Sequence, residues 1–189
     1  MATILSWEED VVKASFNVAR RWCIPGWWAA TALACASALA SVAVADTIEP
    51  LTVAVANFDF KDTSGEAGHQ LRDHDARLTA FVSTLRDSLS KRSKINITSL
   101  ACQNGRCTAR EPGIAELSKE AKTAGANYLL IGEIHKMSTL VGWAKYVLLD
   151  IHTNKPTCDR FITYRGDTGE AWNRAARFVA NDIEKNCIP

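Results

Sequence analysis

Residues 126–165 carry the strongest signal for the fold, and they read ANYLLIGEIHKM-STLVG-WAKYVLLDIHT-NKPT-CDRFITYR. Three β-rich segments, Ala126–Met137, Trp143–Thr153 and Cys158–Arg165, are separated by turns of only five and four residues. Turns that short join antiparallel neighbours, because a crossover between parallel strands needs a dozen or more residues. The stretch therefore predicts an antiparallel meander of three strands.

The chain before the meander alternates between strand and helix patterns. Leu51–Phe60 and Lys94–Leu100 alternate apolar with polar side chains, which is typical of half-buried strands. Between them, apolar residues in Gln70–Arg92 recur at intervals of three, four and seven, which predicts an amphipathic helix. A second helix, with Pro112 in its first turn and Gly125 closing it, is predicted after the second strand.

A third helix is predicted after the meander. Asp167 and Glu170 make an N-terminal capping signal, and apolar residues continue at helical spacing from Trp172 to Ile183. The predicted order is β-α-β-α-β-β-β-α. Two helical crossovers followed by a meander imply an α/β domain, in which helices cover a mixed sheet in two or three layers.

Length and charge limit the class of protein. The chain has 189 residues, which is about one domain, and its 22 basic and 21 acidic side chains leave a formal net charge of +1. A nucleic-acid-binding domain normally carries a lopsided positive charge, so no nucleic-acid partner is expected.

The amino-terminal residues 1–45 match a secretory signal peptide. Arg20 and Arg21 precede a charge-free run that ends in Ala43-Val44-Ala45, and a basic region, an apolar region and an A-x-A site define such a signal. We therefore predict cleavage after Ala45. The mature protein would be a single periplasmic α/β domain over residues 46–189, with no stable membrane span.

Three alternatives to this route remain open. The apolar run is long enough to stay uncleaved as a membrane anchor. Cys35 follows Ala32-Leu33-Ala34, which would make a poor lipoprotein signal. The pair Arg20-Arg21 also permits export by the twin-arginine route.

Cleavage would leave four cysteines, Cys102, Cys107, Cys158 and Cys187. Four cysteines in an exported domain are typical of two disulfides, with three possible pairings. The turn dipeptide Asn104-Gly105 favours closure of Cys102 with Cys107, which leaves Cys158 for Cys187. Metal or redox use is the alternative, although redox pairs are normally C-x-x-C.

One group of residues suggests a metal site. His69, Asp73, His74 and Asp75 lie at the start of the first predicted helix, and imidazoles with carboxylates suit zinc or a similar cation. The same residues are also ordinary solvated groups at a helix start, where acidic side chains favour the helix dipole. No cofactor is predicted, and a small periplasmic metal-dependent hydrolase is the enzymatic alternative.

Two further patterns lie on the meander. If residue numbers that sum to about 285 pair across the hairpin, Glu133 lies opposite His152 and His135 opposite Asp150. Such pairs transfer protons in enzymes or simply line the solvent-exposed face of a sheet.

Aromatic side chains offer the remaining candidate. Trp143, Tyr146 and Tyr164 would line the pocket of a small-ligand carrier, or else pack within the sheet. The sequence contains no G-x-S-x-G motif and no glycine-rich phosphate loop.

Three motifs resemble one family. Val53–Phe60 with Asp62-Thr63-Ser64 is similar to the opening strand of uncharacterised secreted proteobacterial proteins related to the TolB amino-terminal domain. Gly125–Ile134 resembles a strand of the same group, which recurs in CsgG and in lipoprotein activators of penicillin-binding proteins, and Arg165–Trp172 resembles the secreted family in particular. The likeness covers Leu51–Cys187. It implies a TolB-like fold and a non-enzymatic periplasmic accessory or binding protein that contacts an envelope protein.

Overall fold

A computed structural model describes residues 50–66, 71–102 and 106–188. They belong to the compact unit Ala45–Pro189. The predicted signal peptide lies outside the described residues. Within the described part, no helix has the length and apolar character needed to cross a bilayer.

The secondary structure follows the predicted order with one strand more. The elements are β1 (Leu51–Val55), β2 (Asp59–Asp62), α1 (Leu71–Ser90), β3 (Ile95–Thr98), α2 (Ile114–Thr123), β4 (Tyr128–Lys136), β5 (Val141–Asp150), β6 (Lys155–Arg165) and α3 (Gly169–Asn186).

The strands form one mixed sheet in the order β3-β1-β4-β5-β6, with β2 continuing beside β4. β1 is parallel to β3 and to β4, and β2 is also parallel to β4. β4, β5 and β6 are antiparallel neighbours, as the short turns predict. The predicted fold class, a mixed sheet covered by helices, is confirmed.

The predicted first strand is in fact two strands, β1 and β2. Its ladder stops at Ala56, and the backbone N–H of Asn57 donates to the carbonyl of Cys107 at 2.7 Å. The ring of Phe58 then turns into the core, where it fills the space above Gly132. A tertiary contact therefore interrupts a stretch whose local pattern reads as continuous.

The start of α2 also differs from the prediction. Pro112 lies before the helix, in a bridge with Thr108, and Gly113 precedes the first helical residue with a φ of +105°. Gly125 ends the helix as predicted, and its φ of +74° explains why glycine occupies this position.

Two cores lie on opposite faces of the sheet. α1 and α3 pack on one face with their predicted apolar stripes buried, and the largest of these side chains are Phe81, Leu85 and Trp172. The shorter α2 packs on the other face through Leu117 and Ala121. Helices therefore cover one face of the sheet fully and the other face only in part.

Candidate functional site

The second face of the sheet carries a row of aromatic side chains beyond the reach of α2. The ring of His135 on β4 lies 4.6 Å from that of Trp143 on β5, and Trp143 lies 5.2 Å from Phe161 on β6. Phe161 is 58% exposed, and Leu140 in the β4–β5 turn is 70% exposed. We call the sheet surface around His135, Trp143 and Phe161 the open face.

Strand alternation explains why these side chains share a face. Successive side chains on a strand point to opposite sides, so Trp143 points away from Ala144 and Tyr146, which lie in the core against α1 and α3. The register sets His135 directly opposite Trp143. The row therefore follows from the pairing of three strands rather than from any local motif.

Paired charges border the open face. Arg110 contacts Glu133 at 2.5 Å and Asp59 at 4.0 Å, and Lys145 lies 3.7 Å from Asp159. A small cleft of about 280 Å³ lies between the Arg110 loop and the sheet. An aromatic centre with a polar rim is the composition of protein–protein interfaces.

The predicted histidine–carboxylate couples do not form. The register of β4 with β5 sets Glu133 opposite Lys145 and His135 opposite Trp143, while His152 lies in the turn after β5. The hairpin turn is tighter than the sequence suggests, because β5 begins at Val141. Nε2 of His135 instead forms a hydrogen bond with the hydroxyl oxygen of Thr63 at 2.6 Å.

The predicted aromatic pocket is also wrong. Tyr146 and Tyr164 face the helical core, where the hydroxyl of Tyr146 donates to Asp182 at 2.6 Å. Trp143 lies on the other side of the sheet, because it is an odd number of positions from Tyr146 along one strand. The three rings therefore cannot line one cavity.

The proposed metal ligands are separated. His74 is buried, whereas Asp73 and Asp75 on the same helix are exposed, and His69 lies outside the described residues. Within residues 50–66, 71–102 and 106–188, no group of three or more His, Cys, Asp or Glu could hold a metal ion.

His74 instead belongs to a partly buried charge cluster that the sequence did not reveal. Lys136, which is only 2% exposed, lies at its centre and contacts Glu66 at 2.5 Å and Asp167 at 3.1 Å. Nε2 of His74 lies 3.2 Å from Asp167. We call this group the Lys136 cluster, and its members are Asp62, Glu66, His74, Arg77, Lys136 and Asp167.

The cluster holds its central groups in their charged forms. Burial alone would raise the pKa of Asp167, but hydrogen bonds from Lys136 and His74 and the charge of Arg77 keep it below its usual value. Burial would lower the pKa of Lys136, yet Glu66 and Asp167 raise it. An acid–base catalyst needs a pKa near the working pH, so this arrangement suits structural cohesion better than proton transfer.

One signal could have identified the cluster. Lys136 is an even number of positions from Leu130 and Ile134 on the same strand, and both of those face the core. A lysine at an inward position needs carboxylate partners. Those partners come from β2, from the following loop and from the start of α3, which sequence alone does not bring together.

Both cysteine pairs form the disulfides that the sequence favours. Cys102 bonds Cys107 within one loop, and Cys158 on β6 bonds Cys187 at the end of α3, with Cα–Cα distances of 5.5 Å and 5.2 Å. Two structural disulfides are typical of an exported domain, because reducing compartments keep thiols free.

The fold and the site define a disulfide-bonded mixed α/β domain with one partly uncovered sheet face. The chain belongs to the DUF3280 family, described as a protein of unknown function (DUF2380), whose model matches residues 51–183. This match confirms the predicted family of unknown function. No curated protein matches the sequence.

Several solved structures have a similar chain trace. The hypothetical protein CT253 from Chlamydia trachomatis is 12% identical, with 71% of this chain and 96% of that chain covered and a TM-score of 0.49. Lipoprotein GNA1162 from Neisseria meningitidis is 13% identical, with 72% of this chain and 100% of that chain covered and a TM-score of 0.47. TolB from Acinetobacter baumannii is 14% identical, with 72% of this chain and 28% of that chain covered and a TM-score of 0.43. At these TM-scores the similarities carry no functional argument.

Proposed function

We propose that the protein is a non-enzymatic periplasmic accessory protein that binds another envelope protein through the open face. The observation that carries this proposal is the row His135–Trp143–Phe161 on a face that α2 leaves partly uncovered. Large aromatic side chains are the residues that contribute most binding energy in protein interfaces.

Two independent features support the proposed location. The first 45 residues match a signal peptide, and both disulfides need an oxidising compartment to form. The electrostatics agree with a binding role, since Arg110, Lys136 and Arg160 are held in ion pairs with carboxylates of the same chain.

The chemistry of the open face indicates the kind of partner. Its rim charges are already paired within the chain, as in Arg110 with Glu133, so they offer little net charge to a highly charged ligand. The aromatic centre instead favours a partner that presents an apolar, extended protein surface.

Site-specific photocrosslinking in living cells tests this function. A benzophenone side chain at Lys145, at the border of the open face, is expected to link an envelope protein, because Lys145 is exposed beside the aromatic row. The additional change Phe161→Ser should reduce that adduct at least about tenfold, as for removal of an aromatic hot spot.

A matched probe provides the control. Arg177 is exposed on α3, on the opposite side of the sheet, and a benzophenone there should give no such adduct. Equal adducts from both positions, or an adduct insensitive to Phe161→Ser, would show that the open face is not the binding site.

A further inference from the structure

β6 is a long edge strand. It has 11 residues and, within the described part of the chain, pairs only with β5. An edge strand presents a row of unpaired backbone N–H and C=O groups, which is a template for another strand. The opposite edge, β3, has only four residues.

The outward-facing groups of β6 can be assigned from the neighbouring ladders. The N–H of Gly166 donates to the carbonyl of Leu140 at 3.0 Å, which defines which pairs of β5 and β6 exchange bonds. Because hydrogen-bonded and non-bonded pairs alternate, the bonding groups of alternate residues point away from β5. These residues are Asp159, Phe161, Thr163 and Arg165.

We propose that β6 pairs antiparallel with β6 of a second copy of this chain, around a two-fold axis at Ile162. In this register Asp159 lies opposite Arg165 of the partner subunit, and Phe161 lies opposite Thr163 of the partner subunit. Opposite charges that face each other across strands stabilise the pairing, and symmetry repeats each pair.

Neighbouring registers lack this complementarity. An axis at Arg160 would set Lys155 opposite Arg165, which are like charges. An axis at Phe161 would leave Asp159 opposite a threonine. Charges on an edge strand usually discourage pairing, but here one two-fold register adds two ion pairs, in which Asp159 is shared between Lys145 of its own chain and Arg165 of the partner subunit.

Apolar side chains flank the edge on both faces. Phe161 is exposed on the open face, and Phe178 of α3 is 56% exposed on the other. A groove of about 360 Å³ lies between β6 and α3, with Ile162 and Tyr164 in its wall. Strand pairing would therefore bury apolar surface above and below the new ladder.

The internal contacts of β6 leave this edge available. Arg160 is held by Asp182 through two contacts of 2.9 Å on the core side, so its charge does not face the axis. A two-fold axis perpendicular to the sheet would place both open faces on the same side. The two aromatic rows would then form one continuous surface, although the pairing itself does not depend on the proposed function.

Charge-reversal variants test the register. They are compared with the natural protein, and each is purified in the form that the cells export. Sedimentation velocity should show a dimer for the natural sequence. Asp159→Arg and Arg165→Asp should each raise the dimer dissociation constant at least about tenfold, because each sets like charges opposite at two positions. A mixture of the two variants should restore the dimer, since every pair is then complementary.

The mixture also separates association from misfolding, because misfolded variants would not combine into a dimer. Glu116→Arg is the matched control: it removes an exposed ion pair with Lys119 on α2 and should leave the dimer unchanged. A monomer at all concentrations, single variants that still dimerise normally, or a mixture that remains monomeric would each overturn the proposal.

Discussion

At the residue scale, Gly132 shows how one position controls the packing of a strand. A Cβ atom on Gly132 would lie 2.3 Å from the ring of Phe58, far inside van der Waals contact. Phe58 is fully buried and contacts Phe81, so its ring has little freedom to move. The absent side chain at Gly132 is therefore what lets the chain between β1 and β2 reach the core.

Gly132→Ala should accordingly destabilise the protein by about 1–3 kcal/mol, as for overpacking of a filled core. Urea denaturation of the purified protein measures this. Gly169→Ala is the control, because nothing lies within 4 Å of its added Cβ and its stability should not fall. Combination with Phe58→Leu should recover part of the loss, and a Gly132→Ala variant as stable as the natural sequence would disprove the packing role.

At the element scale, the Lys136 cluster joins β2, α1, β4 and the start of α3. Asp167 accepts a hydrogen bond from Nε1 of Trp172 while its other oxygen faces Lys136 and His74. Thr168, and not Asp167 as predicted, caps α3 by accepting from the N–H of Ala171. Thr168 therefore caps the helix, and Asp167 connects its start to the Lys136 cluster.

Lys136→Met should destabilise the protein by about 1–3 kcal/mol at neutral pH, because it leaves the largely buried carboxylate of Asp167 without its main partner. Burial would raise the pKa values of Asp62 and Asp167, but hydrogen bonds and nearby cations hold both values below the usual 3.8. The native state therefore gains stability from them above about pH 4 and loses it as the pH falls through their native pKa values.

Denaturation at pH 7 and at pH 3 checks this assignment. The difference between Lys136→Met and the natural sequence should shrink at pH 3, because the natural protein progressively loses the stability gained from the lowered pKa values of these carboxyls as the pH falls below 3.8. Lys122→Met on the exposed side of α2 should change stability by less than about 0.5 kcal/mol at either pH. A difference that is the same at both pH values would contradict the electrostatic role.

At the scale of the whole molecule, the covering of the sheet is uneven. Two long helices bury one face, and the disulfide between Cys158 and Cys187 ties the end of α3 to β6. On the other face α2 reaches only part of the sheet, and the edge strand and the aromatic row are left at the surface. The proposed partner contact lies on this less covered face, and the proposed pairing of β6 lies at the edge of the sheet beside it.

Export should leave a definite chemical record. The intact mass of the protein from the periplasmic fraction is expected to correspond to a chain that begins at Asp46, and thiol titration should find no free cysteine. Substitution of both Ala43 and Ala45 by leucine should block cleavage. A mass that begins at Met1, or a lipid-modified Cys35, would instead support an anchor or a lipoprotein.

The candidate site was less predictable than the fold. The Lys136 cluster unites residues up to 105 positions apart, from Asp62 to Asp167, and no spacing along the chain reports such a meeting. The spacing of residues along the chain does not reveal the open face either. His135 and Trp143 are close because β5 begins two positions earlier than its pattern suggests.

Periodicity, short turns and loop closure are local properties, so the sequence alone predicts the element order, the meander, the apolar stripes of the helices and the favoured cysteine pairing. Tertiary packing sets the strand register, the break after β1 and the partners of Lys136. Each of these depends on how distant segments share one packed interior, where a shift of one residue moves every side chain of a strand to the opposite face.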